Sequence, residues 1–176
     1  MLKYLIIAAA FITAPVAAYA VDLNGGTEAQ YAAVQKFHDD TVARFNDGDL
    51  DGAVNDYLER LVIAHTKRMQ LTGRDDLEES WGKTFASSSK PYLVSEIIAM
   101  EVNGDEIGDW SYIICNYASV GVDKETGKQV GEASNGRYIA LMEMTPEGWK
   151  VLLDIDNGAE GAAQQLEEQL LKNLNL

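Results

Sequence analysis

Cysteine is almost missing from this sequence. Cys115 stands alone among 176 residues, so the chain can form no internal disulfide. A reactive thiol needs an electropositive setting, and this chain offers few cations, so Cys115 reads as a small buried hydrophobe. Histidine is nearly as scarce, with His38 and His65 only. Two histidines and one cysteine, far apart, make no recognised metal-ligand spacing, and no metal is expected. Asp47-x-Asp49-x-Asp51 opens like a calcium loop, but the glycine and the distal glutamate fall at the wrong steps. Positive charge is the third shortage: 14 lysines and arginines face 28 aspartates and glutamates, for a net charge of -14. Such a chain repels phosphates, which argues against nucleic acid and anionic membrane surfaces as partners. With no glycine-rich phosphate loop and no nucleophile elbow, no cofactor is expected either.

Long apolar runs are also lacking, apart from one near the start. Leu5 to Ala14 is apolar, Lys3 is the only charge before Asp22, and Ala18-Tyr19-Ala20 fits the small-x-small cleavage pattern. The run is short of the roughly 20 residues a membrane span needs. Residues 1–20 therefore read as a signal peptide cleaved after Ala20, and the mature protein as periplasmic or secreted and free of the membrane. Residues 21–28 form a polar lead-in. The rest has the length of one domain, enough to bury a core without staples.

What is present is periodic. Tyr31, Val34, His38 (or Phe37), Thr41, Val42 and Phe45 recur at helical steps, which predicts a first helix from Ala29. Gly48 offers a left-handed stop and Asp49 an N-cap for a second helix carrying Leu50, Ala53, Val54, Tyr57 and Leu58. Leu61–Thr66 reads as a strand, with Met69–Thr72 as a short partner. Asp75-Asp76-Leu77-Glu78 resembles a capping box opening a third helix with Leu77, Trp81 and Phe85. Four strands are predicted next: 93–102, 107–122, 130–144 and 149–156. Short turns join them into an antiparallel meander, with bulges expected at Gly121, Gly131 or Gly136. Residues 158–176 predict a C-terminal helix whose Leu166, Leu170, Leu171 and Leu174 need a partner, in this domain or in a second chain.

The predicted fold class is α+β: a curved antiparallel sheet wrapped around the N-terminal helices as a conical barrel, plus the C-terminal helix. At this point Asn46-Asp47-Gly48-Asp49-Leu50-Asp51-Gly52-Ala53-Val54 resembles the opening of the nuclear transport factor 2-like superfamily, which includes the ketosteroid isomerases, SnoaL-like cyclases and scytalone dehydratase. Gly73 with Leu77, Val102-Asn103-Gly104-Asp105 and Gly148-Trp149-Lys150-Val151 resemble its later landmarks, so the resemblance spans roughly residues 29–157. It implies a pocket between sheet and helices, and homodimers through the outer sheet surface.

Ketosteroid isomerases use a strand carboxylate as base, with a tyrosine and a protonated aspartic acid as oxygen donors. Counted from the shared motif, the base position falls on His65, the tyrosine on Thr41, and the acid near Ile139 or Ala140. A steroid isomerase mechanism is thus not expected. His65 remains the candidate catalytic acid–base, since imidazole titrates near neutrality, although a histidine that merely bonds its neighbours fits the same position. His38, in the first helix, is expected at the edge of the packed stripe, facing the sheet. Tyr57, Trp110, Tyr112, Asn116 and Arg137 are the candidate ligand-binding residues. Trp110, Tyr112 and Asn116 share one strand face, and the opposite face carries Ile113, Cys115 and Tyr117. Arg137 could hold a carboxylate or pair with Glu132 or Glu143. Asp154 and Asp156 alternate with Leu153 and Ile155, so they point outward if the apolar set points in. Three functions stay open: a binder of a small apolar molecule, an isomerase, cyclase or dehydratase using His65, and a dimeric interaction module.

Overall fold

In the computed structural model, residues 21–65, 70–157, 161 and 163–176 are described. The signal segment, Thr66, Met69 and the first residues of the C-terminal segment lie outside them. Seven strands form one curved, open sheet in the order β1-β4-β5-β6-β7-β2-β3. The strands are β1 (Asp22–Asn24), β2 (Tyr57–His65), β3 (Leu71–Thr72), β4 (Ser89–Asn103), β5 (Trp110–Asp123), β6 (Gln129–Thr145) and β7 (Gly148–Asp156). The helices are α1 (Glu28–Asp47), α2 (Leu50–Asn55), α3 (Arg74–Ala86) and α4 (Gln164–Leu174).

The meander β4 to β7 is antiparallel as expected. The sheet as a whole is mixed, because β1 joins β4 and β2 joins β7 in parallel. The lead-in therefore contributes a strand. Register shifts fall between Ser119 and Gly121, and also at Ile97/Ala99 and Leu141/Met142, where the sequence marks nothing. They add the bend that wraps the sheet around α1 and α3.

Local chemistry sets the helix ends. Thr27 accepts from Gln30 N while Gln30 Oε1 accepts from Thr27 N, a full capping box. Gly48, at φ 75°, ends α1, and Asp49 accepts from Gly52 N to open α2. Helix α2 stops at Asn55, so Tyr57 begins a strand instead of closing a helix. The capping box expected before the third helix is not formed: Gly73 sits at the N-cap, and Asp76 accepts from Thr72 N instead. Asn46 reaches across to the sheet, where its amide donates to Leu93 O at 2.8 Å and accepts from Leu93 N at 2.7 Å.

Two apolar cores lie on opposite faces. On the inner face, Val34, Leu61, Leu77, Met142 and Val151 pack between α1, α3 and the sheet. On the outer face, Leu166 and Leu170 of α4 pack on Ala118 and Val120. The tail thus covers its own domain, and each buried leucine contributes about 1.5–3 kcal/mol.

Candidate functional site

Between the inner sheet face and α1 and α3 lies a cavity of about 940 Å³. Phe37, Val42, Phe45, Trp81, Ile113 and Met142 give it an apolar wall. Phe45 and Tyr57 each meet Trp81 edge-on, with centroids 5.2 and 5.5 Å apart. Polar groups enter from six elements: His38 and Thr41 from α1, Ser80 and Thr84 from α3, Tyr57 and His65 from β2, Tyr117 from β5, Tyr138 from β6, and Asp154 and Asp156 from β7.

Register explains the convergence. Parallel pairing sets His65 beside Asp156, which is opposite Tyr138, which is opposite Cys115. His65 Nδ1 lies 3.3 Å from Asp156 Oδ2, and Tyr117 OH donates to Asp156 Oδ1 at 3.0 Å. Gly136 makes room for the Tyr117 ring, since a Cβ there would fall 2.9 Å from it. Two residues back on β7, Asp154 stands beside Ile63 and Ala140. Its carboxyl makes no hydrogen bond among the described residues. Burial, reinforced by the charge of Asp156, pushes it up to about 7. Tyr57 is 6% exposed, and its hydroxyl is likewise without a hydrogen bond among the described residues. Burial, with the charges of Asp154 and Asp56, holds it well above the usual phenol range.

A second cluster lies along the same wall. His38 is 4% exposed, and its Nε2 lies 3.0 Å from Ser95 Oγ and 3.1 Å from Tyr138 OH, which are 3.1 Å apart. His38 Nδ1 lies 3.2 Å from Asp39 Oδ1, and this contact leads in holding the Asp39 carboxyl below its ordinary range. Cys115 lies below this cluster, buried, and desolvation pushes its thiol to about 12. It packs as the small hydrophobe the sequence suggests.

Of the candidate site residues, the fold brings His65 and Tyr57 to the cavity and leaves the other four elsewhere. Trp110, Tyr112, Asn116 and Arg137 lie on the outer face, because Ile113 and Tyr117 take the inner side of β5 and side chains alternate. Trp110 and Tyr112 stack there at 6.4 Å. Arg137 bonds neither Glu132 nor Glu143. Its Nε donates to Asn116 Oδ1 at 3.1 Å, Asn116 donates on to Glu96, and Glu143 pairs with Arg60. Asp154 and Asp156 correct the opposite expectation: the acids face in, and the alternating Leu153 and Ile155 face out. Thr41 donates to Asp56, whose other partner is Arg44, so this position is spent on joining α1 to α2. Ile139 points outward, and Ala140 faces the cavity directly opposite Asp154. The carboxyl that the motif count misses on β6 is thus supplied by the neighbouring strand.

No family model and no curated protein sequence matches the chain. Solved structures do. A ketosteroid isomerase-like protein from Erwinia carotovora atroseptica superposes with a TM-score of 0.57 at 17% identity, over 74% of this chain and 96% of that one. An NTF-2 like protein of unknown function from Shewanella oneidensis gives 0.57 at 16% identity, over 72% and 97%. A proposed aromatic ring hydroxylase from Novosphingobium aromaticivorans gives 0.63 at 20%, over 77% and 92%. Identities this low carry the architecture and leave the chemistry to the site. With α1 and α3 on one face of a curved sheet and a cavity between them, the chain adopts the nuclear transport factor 2-like fold.

Proposed function

We propose that this protein binds a small, largely apolar molecule in its cavity and moves a proton on it, as isomerases, cyclases and dehydratases do. One observation carries the reading: the Asp154 carboxyl faces the cavity without a hydrogen-bond partner among the described residues, where burial pushes it up to about 7. A group poised there can both take and return a proton. His65, aligned by Asp156, is the second proton carrier, and the Tyr57 hydroxyl contacts the ligand. The molecule is further proposed to be exported, with residues 1–20 removed, and to pair with a second copy through the outer sheet face.

The proton step is tested with 5-nitrobenzisoxazole, which needs only a base in an apolar pocket. The base takes the ring C–H proton, that electron pair completes a nitrile, and the N–O bond breaks to release a coloured phenolate. Wild-type protein is expected to open the ring with a rate that rises with pH through about 7, as Asp154 ionises. Asp154→Asn is expected to lose about 100-fold. His65→Ala is expected to lose less. A wild-type rate equal to that of buffer, or an Asp154→Asn rate within twofold of wild type, would remove catalysis and leave a binding protein. Native mass spectrometry of the gently purified mature protein tests the rest through the mass of the N-terminus, any retained ligand and the copy number.

A further inference from the structure

We infer that the ligand of this cavity is an organic cation, an ammonium group on an apolar frame, with Asp154 as its counter-ion. The inference rests on the proposed function only in taking the cavity as a binding site. It does not need the proton step.

Charge around the cavity is one-sided. Asp154 and Asp156 reach it from β7 and Glu132 from β6, and no lysine or arginine is among the described residues that line it. Such a wall repels carboxylates and phosphates and attracts ammonium groups. Asp156 already has partners in His65 and Tyr117. Glu132 is exposed, so water and salt screen it. Asp154 is the acid left for a ligand, since its carboxyl makes no hydrogen bond among the described residues.

A second polar group is left open in the same way. Tyr57 is 6% exposed, its hydroxyl has no hydrogen bond among the described residues, and the charge of Asp154 acts on it. Its oxygen can accept from an ammonium N–H while keeping its own proton. Its ring meets Trp81 edge-on at 5.5 Å, and Trp81 meets Phe45 likewise at 5.2 Å. An acid therefore adjoins a group of aromatic rings, whose faces attract cations and give little to anions. Burial acts in the same direction. A carboxylate beside an apolar wall is costly, and burial with the charge of Asp156 pushes Asp154 up to about 7. A cation pairs with that carboxylate and offsets its repulsion from Asp156, whereas a neutral ligand does neither. The proton step stays open, because a carboxylate has two oxygens.

The pairing has a pH signature. Below about pH 7 Asp154 holds a proton that a cation must displace, so affinity falls as pH falls. Tyr57, Tyr138 and the Cys115 thiol also interact with Asp154, and burial keeps all three neutral. The remaining titratable groups on the wall are His38 from α1, His65 from β2, Tyr117 from β5, Glu132 and Asp156, while α3 adds only Ser80, Trp81 and Thr84. A protonated His38 or His65 would also oppose a cation, so the share of Asp154 is read from Asp154→Asn.

The test compares benzyltrimethylammonium, whose charge is independent of pH, with neopentylbenzene, its neutral isostere, by isothermal titration calorimetry. At pH 8 wild type is expected to bind the cation about tenfold more tightly than the isostere. Near pH 6 that preference should shrink, and about one proton should leave the protein per cation bound, read from two buffers of different ionisation enthalpy. Asp154→Asn is expected to lose about tenfold for the cation, to release no such proton, and to keep the isostere. Glu125→Gln, an exposed acid that does not line the cavity, should change neither affinity, which separates the site from the general negative charge of the chain. The inference is overturned if wild type binds the isostere as tightly as the cation, if no proton is released, if Asp154→Asn keeps the cation, or if Glu125→Gln loses as much as Asp154→Asn. The first two readings need wild type alone. An isostere that binds as well as the cation leaves the apolar pocket standing, whereas binding of neither probe removes the pocket too. Nitrobenzisoxazole is uncharged, so its ring opening can fail while the ammonium site stands.

Discussion

The two faces of the sheet are made from the same strands and obey opposite rules. The inner face buries Ile113, Cys115, Ala140 and Met142, yet it also holds Asp154, Asp156, His65 and three tyrosines. The outer face has a polar row, Glu96–Asn116–Arg137, and α4 covers Ala118 and Val120 to one side of it. On the other side Trp110, Ile139 and Ile155 stay 37–41% exposed. Polarity alone would turn β7 over. What decides is which face the helices cover: α1 and α3 enclose the inner one, and a cavity can hold carboxyl groups that a close-packed core would exclude.

Substitutions on each side can break or sharpen this contrast. The largest effect is expected at Met142, fully buried on the inner face: Met142→Ala should cost about 2–5 kcal/mol in urea unfolding. A cost below 1 kcal/mol would mean that the inner wall is loosely packed around the cavity.

Asp154 comes next, with a pH signature. In the folded chain it keeps its proton up to about pH 7, while in the unfolded chain it ionises near its ordinary value of 3.8. Between those values the folded state holds the extra proton, so stability falls as pH rises through the window, and the penalty reaches its full size above it. Asp154→Asn removes this penalty. It should be more stable than wild type at pH 8, by at most ~4 kcal/mol and less where water enters the cavity, and match wild type near pH 3. Equal melting at both pH values would place Asp154 in contact with solvent.

Gly136→Ala probes the inner face more gently. The added methyl meets the Tyr117 ring, so about 1–3 kcal/mol should be lost, and the alignment of Asp156 and His65 with it. The rate of nitrobenzisoxazole opening in this variant reports the alignment, and melting reports the strain. The smallest effect is expected outside. Ile139→Ala should change the stability of the isolated chain by less than about 1 kcal/mol. If Ile139→Asp also leaves the sedimentation mass unchanged, the outer strip is not where two copies meet.

Most elements are legible in the sequence because they follow local chemistry. The Thr27, Gly48 and Asp49 caps and the alternation of β5 to β7 announce themselves within a few residues. The site does not, because it is assembled by pairings between distant segments. His65 meets Asp156 only through the parallel β2–β7 pairing, and nothing near residue 65 signals it. Asp154 is hidden by the opposite polarity of Leu153 and Ile155, which sit on the part of the outer face that α4 leaves uncovered. His38 was visible as part of a helical stripe, while its partners Ser95 and Tyr138 lie 57 and 100 residues away. A motif count along the chain finds Ala140, where the neighbouring strand has placed the acid one strand over.

The clamp of Asn46 on Leu93 bears on assembly. Among the described residues, β4 has a neighbouring strand on one side only between Ser89 and Ile97, since β1 begins its pairing at Ala99. An open edge of this kind invites another strand to dock and chains to stack into fibres. Here Pro91 has no amide proton to offer, and two residues on, both backbone groups of Leu93 are occupied by one asparagine side chain acting as a single-residue substitute for a strand. A helix terminus thereby closes this stretch of the sheet to a neighbour, and Asn46→Ala would reopen a templating edge.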